Sequence, residues 1–204
     1  MADTTALLTR AEAEQRDFVT LTRALTDDQW AAPSLCAKWT VRETVMHTAI
    51  HTHQTLRESV KANREAVRRR DEPSGTLVDS LAAPLYAKSP WELRLQAGEL
   101  MIHQQDIRRP LGIPREIPSG RLVAVLHTCL GRVDSQIIGV KARSHARGLT
   151  LFATDIDWSW GAGPEVRGPA EAILMAVAGR AHAVGELTGA GATTLASRLR
   201  AIST

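Results

Sequence analysis

Four stretches of this chain repeat their apolar residues at the three-to-four spacing of an α-helix, and residues that stop helices separate them. From Thr5 to Leu25, the residues Leu7, Leu8, Phe18, Leu21 and Leu25 stand among charges in an amphipathic pattern. Thr26 to Lys38, with Pro33 and Ser34, reads as a loop holding at most a helical turn. Thr40 and Glu43 then open a long helix to about Arg70, because T-V-R-E is a capping box whose hydroxyl and carboxylate satisfy exposed amides reciprocally. Pro73 and Gly75 end it, and a shorter helix covers Leu77 to Leu85, disturbed at Pro84. Ser89, Pro90 and Glu92 start the third long helix, since proline at the first helical position gives up only an N–H that lacks an intrahelical partner. It should run to about Arg109, ahead of Pro110 and Gly112. Ser119 caps the fourth, from Gly120 to about Gly139, with Leu122, Val125, Leu126, Cys129, Leu130 and Val133 on its inner face.

The pattern changes after Gly148. Leu149 to Ala153 and Ile156 to Trp160 alternate as two short strands, with Asp155 between them. Pro169 to Ala178 is an apolar helix, and Thr193 to Ile202 makes a last one. The expected fold is therefore mainly α: a four-helix bundle over residues 1–145 with a small C-terminal α+β region over 146–204. At 204 residues, 44% hydrophobic and 23% charged, the chain has an ordinary globular composition with material for one substantial core and an appendage.

Charge excludes more than it suggests. The 25 basic residues exceed the 22 acidic ones by only three, and both kinds are mixed along the chain. The basic run from Arg64 to Arg70 closes a helix, where cations complement the negative end of the dipole. No second basic stripe or stacking series of aromatics accompanies it, so nucleic acid is not an expected partner. The opening MADTTALLTR lacks the basic and apolar parts of a secretory signal, and no apolar stretch reaches membrane-spanning length. The two cysteines, Cys36 and Cys129, suggest no disulfide framework, and a reduced cytoplasm is the expected compartment. Cys36 reads as a small packing residue rather than an activated nucleophile.

Seven histidines supply the candidate chemistry: His47, His51, His53, His103, His127, His145 and His182. A helix turns about 100° per residue, so Glu99 and His103 point to one side of the third long helix, with Asp106 close to that direction. A carboxylate and an imidazole so spaced can share a metal ion, and His47 on the second helix is the natural third ligand. Spacing alone is a weak signal. Each histidine has roughly an 11% chance of an acid four residues earlier, and about 0.75 such pairs arise by accident. Glu43 and His47 form a second pair, but Glu43 already has work in the capping box. His51, four residues after His47, faces the same way and stays open as a rival ligand.

Two segments carry a family resemblance. LTDDQWAAPSLCAKWTVRETVMHTAIH (Leu25 to His51) and GELMIHQQDIRRPLGIPREIP (Gly98 to Pro118) resemble the two signatures of the mycothiol-dependent maleylpyruvate isomerase family, part of the DinB-like superfamily. TDIDWSWGAGPEVRGPAEAILMAVAGR (Thr154 to Arg180) looks like the small C-terminal region that accompanies them. The resemblance implies a DinB-like four-helix bundle with a divalent metal held by His47, Glu99 and His103. The usual Pro-Gly before the first-signature tryptophan is Ala37-Lys38 here. Zinc suits two imidazoles and a carboxylate, with nickel, iron or manganese as further fits.

What the resemblance implies about activity is an isomerase or S-transferase that uses mycothiol, the low-molecular-weight thiol of actinobacteria, as co-substrate. A metal-bound thiolate would attack a small electrophilic substrate. The alternative is a metal-binding DinB-like stress-response protein without catalysis, served by the same ligands. Around the metal, Asp106 would orient a liganding histidine or pair with Arg108 or Arg109. Arg109 and Arg180 would face an anionic substrate group or cap their helices. Trp30, Trp39 and Trp91 are expected to pack loops onto the bundle, and Trp158 and Trp160 to share a strand face. A helical bundle of this size often pairs, so a homodimer is compatible with the reading.

Overall fold

The computed structural model describes residues 4–36, 38–53, 62–85, 89–131 and 141–200. They form a mainly helical protein with a three-stranded sheet in its C-terminal part. The chain divides into two compact units, Met1–Glu116 and Ile117–Thr204, ahead of the boundary at 145/146 that the sequence suggests. No helix among the described residues is long and apolar enough to cross a membrane.

In the first unit, α1 (Thr4–Arg23), α2 (Asp27–Ala31), α3 (Val41–His53), α4 (Ala62–Arg68), α5 (Ser74–Ala82) and α6 (Pro90–Leu111) follow one another. The long helices α1 and α6 pack together; α3 lies against α6 and α5, and α5 also meets α1. Short α5 thus supplies the fourth helix of this unit's packing. Phe18, Leu21, Val45, Met46, Leu77, Leu81, Leu100 and Ile107 meet in the core, with Trp30 covering it from α2. Burying aliphatic side chains of this size contributes about 1.5–3 kcal/mol each relative to exposure.

Several boundaries differ from expectation for identifiable reasons. The segment after Thr26 contains a helix, because Thr26 and Gln29 form a full capping box. At Thr40 the Glu43 carboxylate accepts the Thr40 N–H at 2.8 Å and the Thr40 hydroxyl at 3.0 Å. The expected helix from Thr40 to Arg70 is described only as α3 and α4; its centre lies outside the described residues. Ser89 caps α6 with Pro90 at its start, as the sequence suggests. The helix then continues through Pro110 to Leu111 and stops at Gly112, whose φ is 65°. That is the left-handed conformation, which glycine adopts without a Cβ penalty. Proline at 110 removes one helical bond, to the Asp106 carbonyl. The Leu35 N–H donates to that carbonyl instead, at 2.9 Å.

In the second unit, α7 (Ser119–Leu130) is shorter than expected, since Gly131 leaves it extended, and Pro118 rather than Ser119 occupies the cap position. Val133 and the rest of the expected extension to Gly139 lie outside the described residues. Leu122, Val125, Leu126, Cys129 and Leu130 are buried, and α7 packs on α8 (Ala142–His145) and α9 (Ala170–Val177). Strands β1 (Thr150–Ala153), β2 (Ser159–Gly161) and β3 (Glu165–Gly168) run in the order β2-β1-β3. β1 pairs antiparallel with β2, Leu151 opposite Trp160, and parallel with β3, Leu151 opposite Val166. The third strand is invisible in the sequence because E-V-R-G is short and ends in glycine. At Gly163, φ is 134° and a Cβ would collide with the Gly148 carbonyl. Only glycine fits that turn. Asp155 accepts the Ala170 N–H at 2.8 Å. It thereby caps α9 from across the loop. A 3₁₀ segment (Ala181–Glu186) leads to α10 (Ala192–Arg200).

Candidate metal centre

All three residues singled out by spacing lie in the first unit. Helix α3 carries His47, and α6 carries Glu99 and His103 one turn apart. A hydrogen bond from the Gln96 amide to the Thr52 carbonyl, 3.2 Å, ties the two helices together. The Glu99 carboxylate stands 3.1 Å from Nε2 of His103 and 3.9 Å from Nε2 of His47. All three ligand atoms lie within 4.8 Å of one another. An ion with arms of about 2.0–2.2 Å in tetrahedral geometry separates its ligands by about 3.3–3.6 Å. The two distances on Glu99 bracket that range, so the carboxylate stands where it could share a divalent cation with either imidazole. His47 and His103 are buried and Glu99 is nearly so.

The neighbours sort the rivals. His51 packs tilted against His47 with ring centroids 4.3 Å apart but is not part of the convergent set. Burial lowers its pKa more than the Glu99 charge raises it. Trp39 meets the His47 ring at 4.8 Å, which gives that tryptophan a place beside the site as well as a packing role. Glu43 is occupied at the start of α3.

Asp106, fully buried, lies 2.9 Å from Nδ1 of His103. That contact fixes the ring so that Nε2 faces Glu99 and His47, as carboxylates behind metal-binding histidines do. Arg108 turns elsewhere, to the Gln104 side chain at 2.9 Å and the Pro114 carbonyl at 3.1 Å. Arg109 sits half-buried in the last turn of α6. Arg180 belongs to the second unit, where its guanidinium donates to the Ala178 carbonyl at 2.7 Å. That is the helix-capping role.

Electrostatics follow from this crowding. Burial alone would raise the Glu99 pKa, but the hydrogen bond from His103 and the charges of the surrounding imidazoles hold it down to about 2. Burial likewise opposes a charge on His103. Cys36, Asp106 and Glu99 outweigh it and keep the pKa of this imidazole well above its ordinary value.

Sequence reasoning missed Cys36. Its sulfur donates to the Asp106 carboxylate at 3.0 Å and lies 3.4 Å from Nδ1 of His103. Those partners are 70 and 67 residues away, and no local pattern signals such a contact.

Two imidazoles and a carboxylate gathered at one buried point of a helical bundle are a donor set that could hold a metal ion. Residues 11–84 match the family model described as mycothiol maleylpyruvate isomerase N-terminal domain. The fold is similar to the crystal structure of the mycothiol-dependent maleylpyruvate isomerase, with a TM-score of 0.56 over 93% of this chain and 94% of that one, at 16% identity. A histidine-to-alanine mutant of that enzyme matches equally, again with a TM-score of 0.56 and 16% identity over 93% and 94% of the two chains. No curated protein matches the chain by sequence. Residues 11–84 thus resemble that family's N-terminal domain, and the chain as a whole has a fold similar to that of the isomerase.

Proposed function

We propose that this protein is a metal- and thiol-dependent isomerase or S-transferase, with mycothiol as co-substrate and a small electrophilic molecule as substrate. The observation that carries the reading is the convergence of His47, Glu99 and His103 inside a bundle whose residues 11–84 match the family's N-terminal domain. Three protein ligands leave one position open, and a divalent ion there, zinc by the donor set, supplies a Lewis acid that favours a thiol's ionised form.

The chain's own residues prepare that position. Asp106 accepts from the far side of His103 and fixes the ring's direction. Glu99 stays ionised throughout the physiological range and balances the cation's charge. Trp39 and His51 pack against the His47 ring, at centroid distances of 4.8 Å and 4.3 Å. Arg109, at the end of the same helix as two ligands, is the candidate to meet an anionic substrate group.

The test is metal analysis and mycothiol titration of the full chain after cobalt substitution. A changed cobalt spectrum at millimolar thiol is expected, and an unchanged spectrum with no thiol binding leaves a non-catalytic metal protein. Equal, negligible metal content in wild type and His103→Ala would remove the site altogether.

A further inference from the structure

We propose that Cys36, His103 and Asp106 form a second cation site for a thiophilic divalent ion, using the opposite ring nitrogen of the histidine that serves the first. It stands independently of the thiol-dependent reading.

Three donors of different softness meet at one point. Nδ1 of His103 lies 3.4 Å from Sγ of Cys36 and 2.9 Å from the Asp106 carboxylate, and that carboxylate lies 3.0 Å from the sulfur. An ion with sulfur at about 2.3 Å and nitrogen and oxygen at about 2.0–2.1 Å needs separations of about 3.3–3.6 Å, so the triangle must open by a few tenths of an ångström. A nucleophilic cysteine would need a different arrangement. In a Cys–His–Asp relay the thiol and the carboxylate address opposite nitrogens of the imidazole, one giving and one receiving a proton. Here both approach Nδ1, so the three donors converge on one side of the ring.

The site is built rather than incidental. Pro110 leaves the Asp106 carbonyl without its helical partner. The Leu35 N–H takes that carbonyl at 2.9 Å, delivering the next residue, Cys36, to the Asp106 side chain. Around the cysteine, its N–H donates to the Ser34 hydroxyl at 3.1 Å, and its carbonyl accepts the Trp39 N–H at 3.0 Å. The Ser34 hydroxyl also meets the Thr44 hydroxyl of α3 at 2.8 Å. Cys36 is partly exposed, so an ion can reach it, whereas Asp106 is fully buried. Sulfur donors select soft or borderline cations, so zinc and cadmium fit this site and magnesium and calcium do not. Loading would expel the thiol proton and the Nδ1 proton to solvent.

Cadmium titrated into the metal-depleted full chain tests this. In wild type, the ultraviolet thiolate-to-cadmium charge-transfer band should grow and saturate near one equivalent of band-forming ion. Cys36→Ser should lose the band yet still take up cadmium at the other site, and Asp106→Asn should weaken the band-forming event at least tenfold. His47→Ala, and Glu99→Gln as a nearly isosteric second variant, should keep the band. Those two variants separate the sites, since retention of the band there stands even if wild type proves to hold no ion at the His47 site. Absence of the band in wild type, or its persistence in Cys36→Ser through Cys129, overturns the proposal. So does its loss in both His47→Ala and Glu99→Gln, which would mean a single shared ion.

Discussion

His103 is the residue on which the site turns, because its two nitrogens face different partners 3.1 Å and 2.9 Å away. Removing it should therefore cost more than removing any one histidine of α3. His103→Ala is expected to lower affinity for zinc at least a hundredfold, while His51→Ala leaves it within a fewfold; equal losses by competitive chelator titration would contradict the assignment. Asp106→Asn should fall between, about 10–100-fold weaker, as carboxylates behind liganding histidines usually are. The raised pKa of His103 also gives metal uptake a pH dependence. In the metal-free protein a protonated His103 adds stability that is full below the ordinary histidine value of about 6.5 and is lost as pH rises through the higher folded-state value. Metal displaces that proton, so the rise in Tm on zinc loading should be larger near about pH 8 than near about pH 6. A rise that shrinks with pH would show that the imidazole is neutral in the metal-free protein. Glu99 works in the opposite range. With its pKa held to about 2, its contribution to the metal-free fold is present above the ordinary carboxylate range and disappears as pH falls toward that value.

Among the elements, α6 combines a well-capped start with a proline in its last turns. Proline in a helix interior removes a hydrogen bond and crowds the preceding carbonyl, and near a C-terminus the same residue becomes a device for freeing one acceptor. The loop carrying Cys36 uses that acceptor through Leu35. Pro110→Ala should let α6 close its own bond to Asp106 and compete with the loop. Hydrogen exchange at the Leu35 amide is then expected to accelerate several-fold, with helix content unchanged. Exchange at the wild-type rate would show that the carbonyl accommodates both donors and that the loop is held by its other bonds.

At the scale of the whole molecule, each compact unit has its own anchors. In the first, the segment after α6 is fastened back to α1 by Arg115, which donates to Glu14 at 2.8 Å and Asp17 at 3.0 Å. The Arg115 side chain is 5% exposed and that of Glu14 only 1%, so deleting the cation leaves a carboxylate in a poorly solvated place. Asp17 is partly solvated. Arg115→Met should therefore destabilise by about 3 kcal/mol, the lower end for a broken buried pair. A urea midpoint unchanged at constant m-value would show the pair to be dispensable.

Helical periodicity and end signals determined by themselves that the chain is mainly α and that α6 begins at Ser89 with Pro90. They also placed Glu99 and His103 on one side of α6. These facts depend on residues within a few positions of one another, and local sterics and amide satisfaction decide them. Spacing reduced the candidate third ligand to His47 or His51 but could not choose, because residues four apart share a direction and differ only in which part of the neighbouring helix they meet. The packing of α3 on α6 brings His47 to Glu99 in this structure. The same limit hid Cys36, which becomes a candidate ligand only where a proline-freed carbonyl draws a distant loop onto the helix. It hid β3 as well, since four residues acquire a strand's identity only from the partner that takes up their hydrogen bonds.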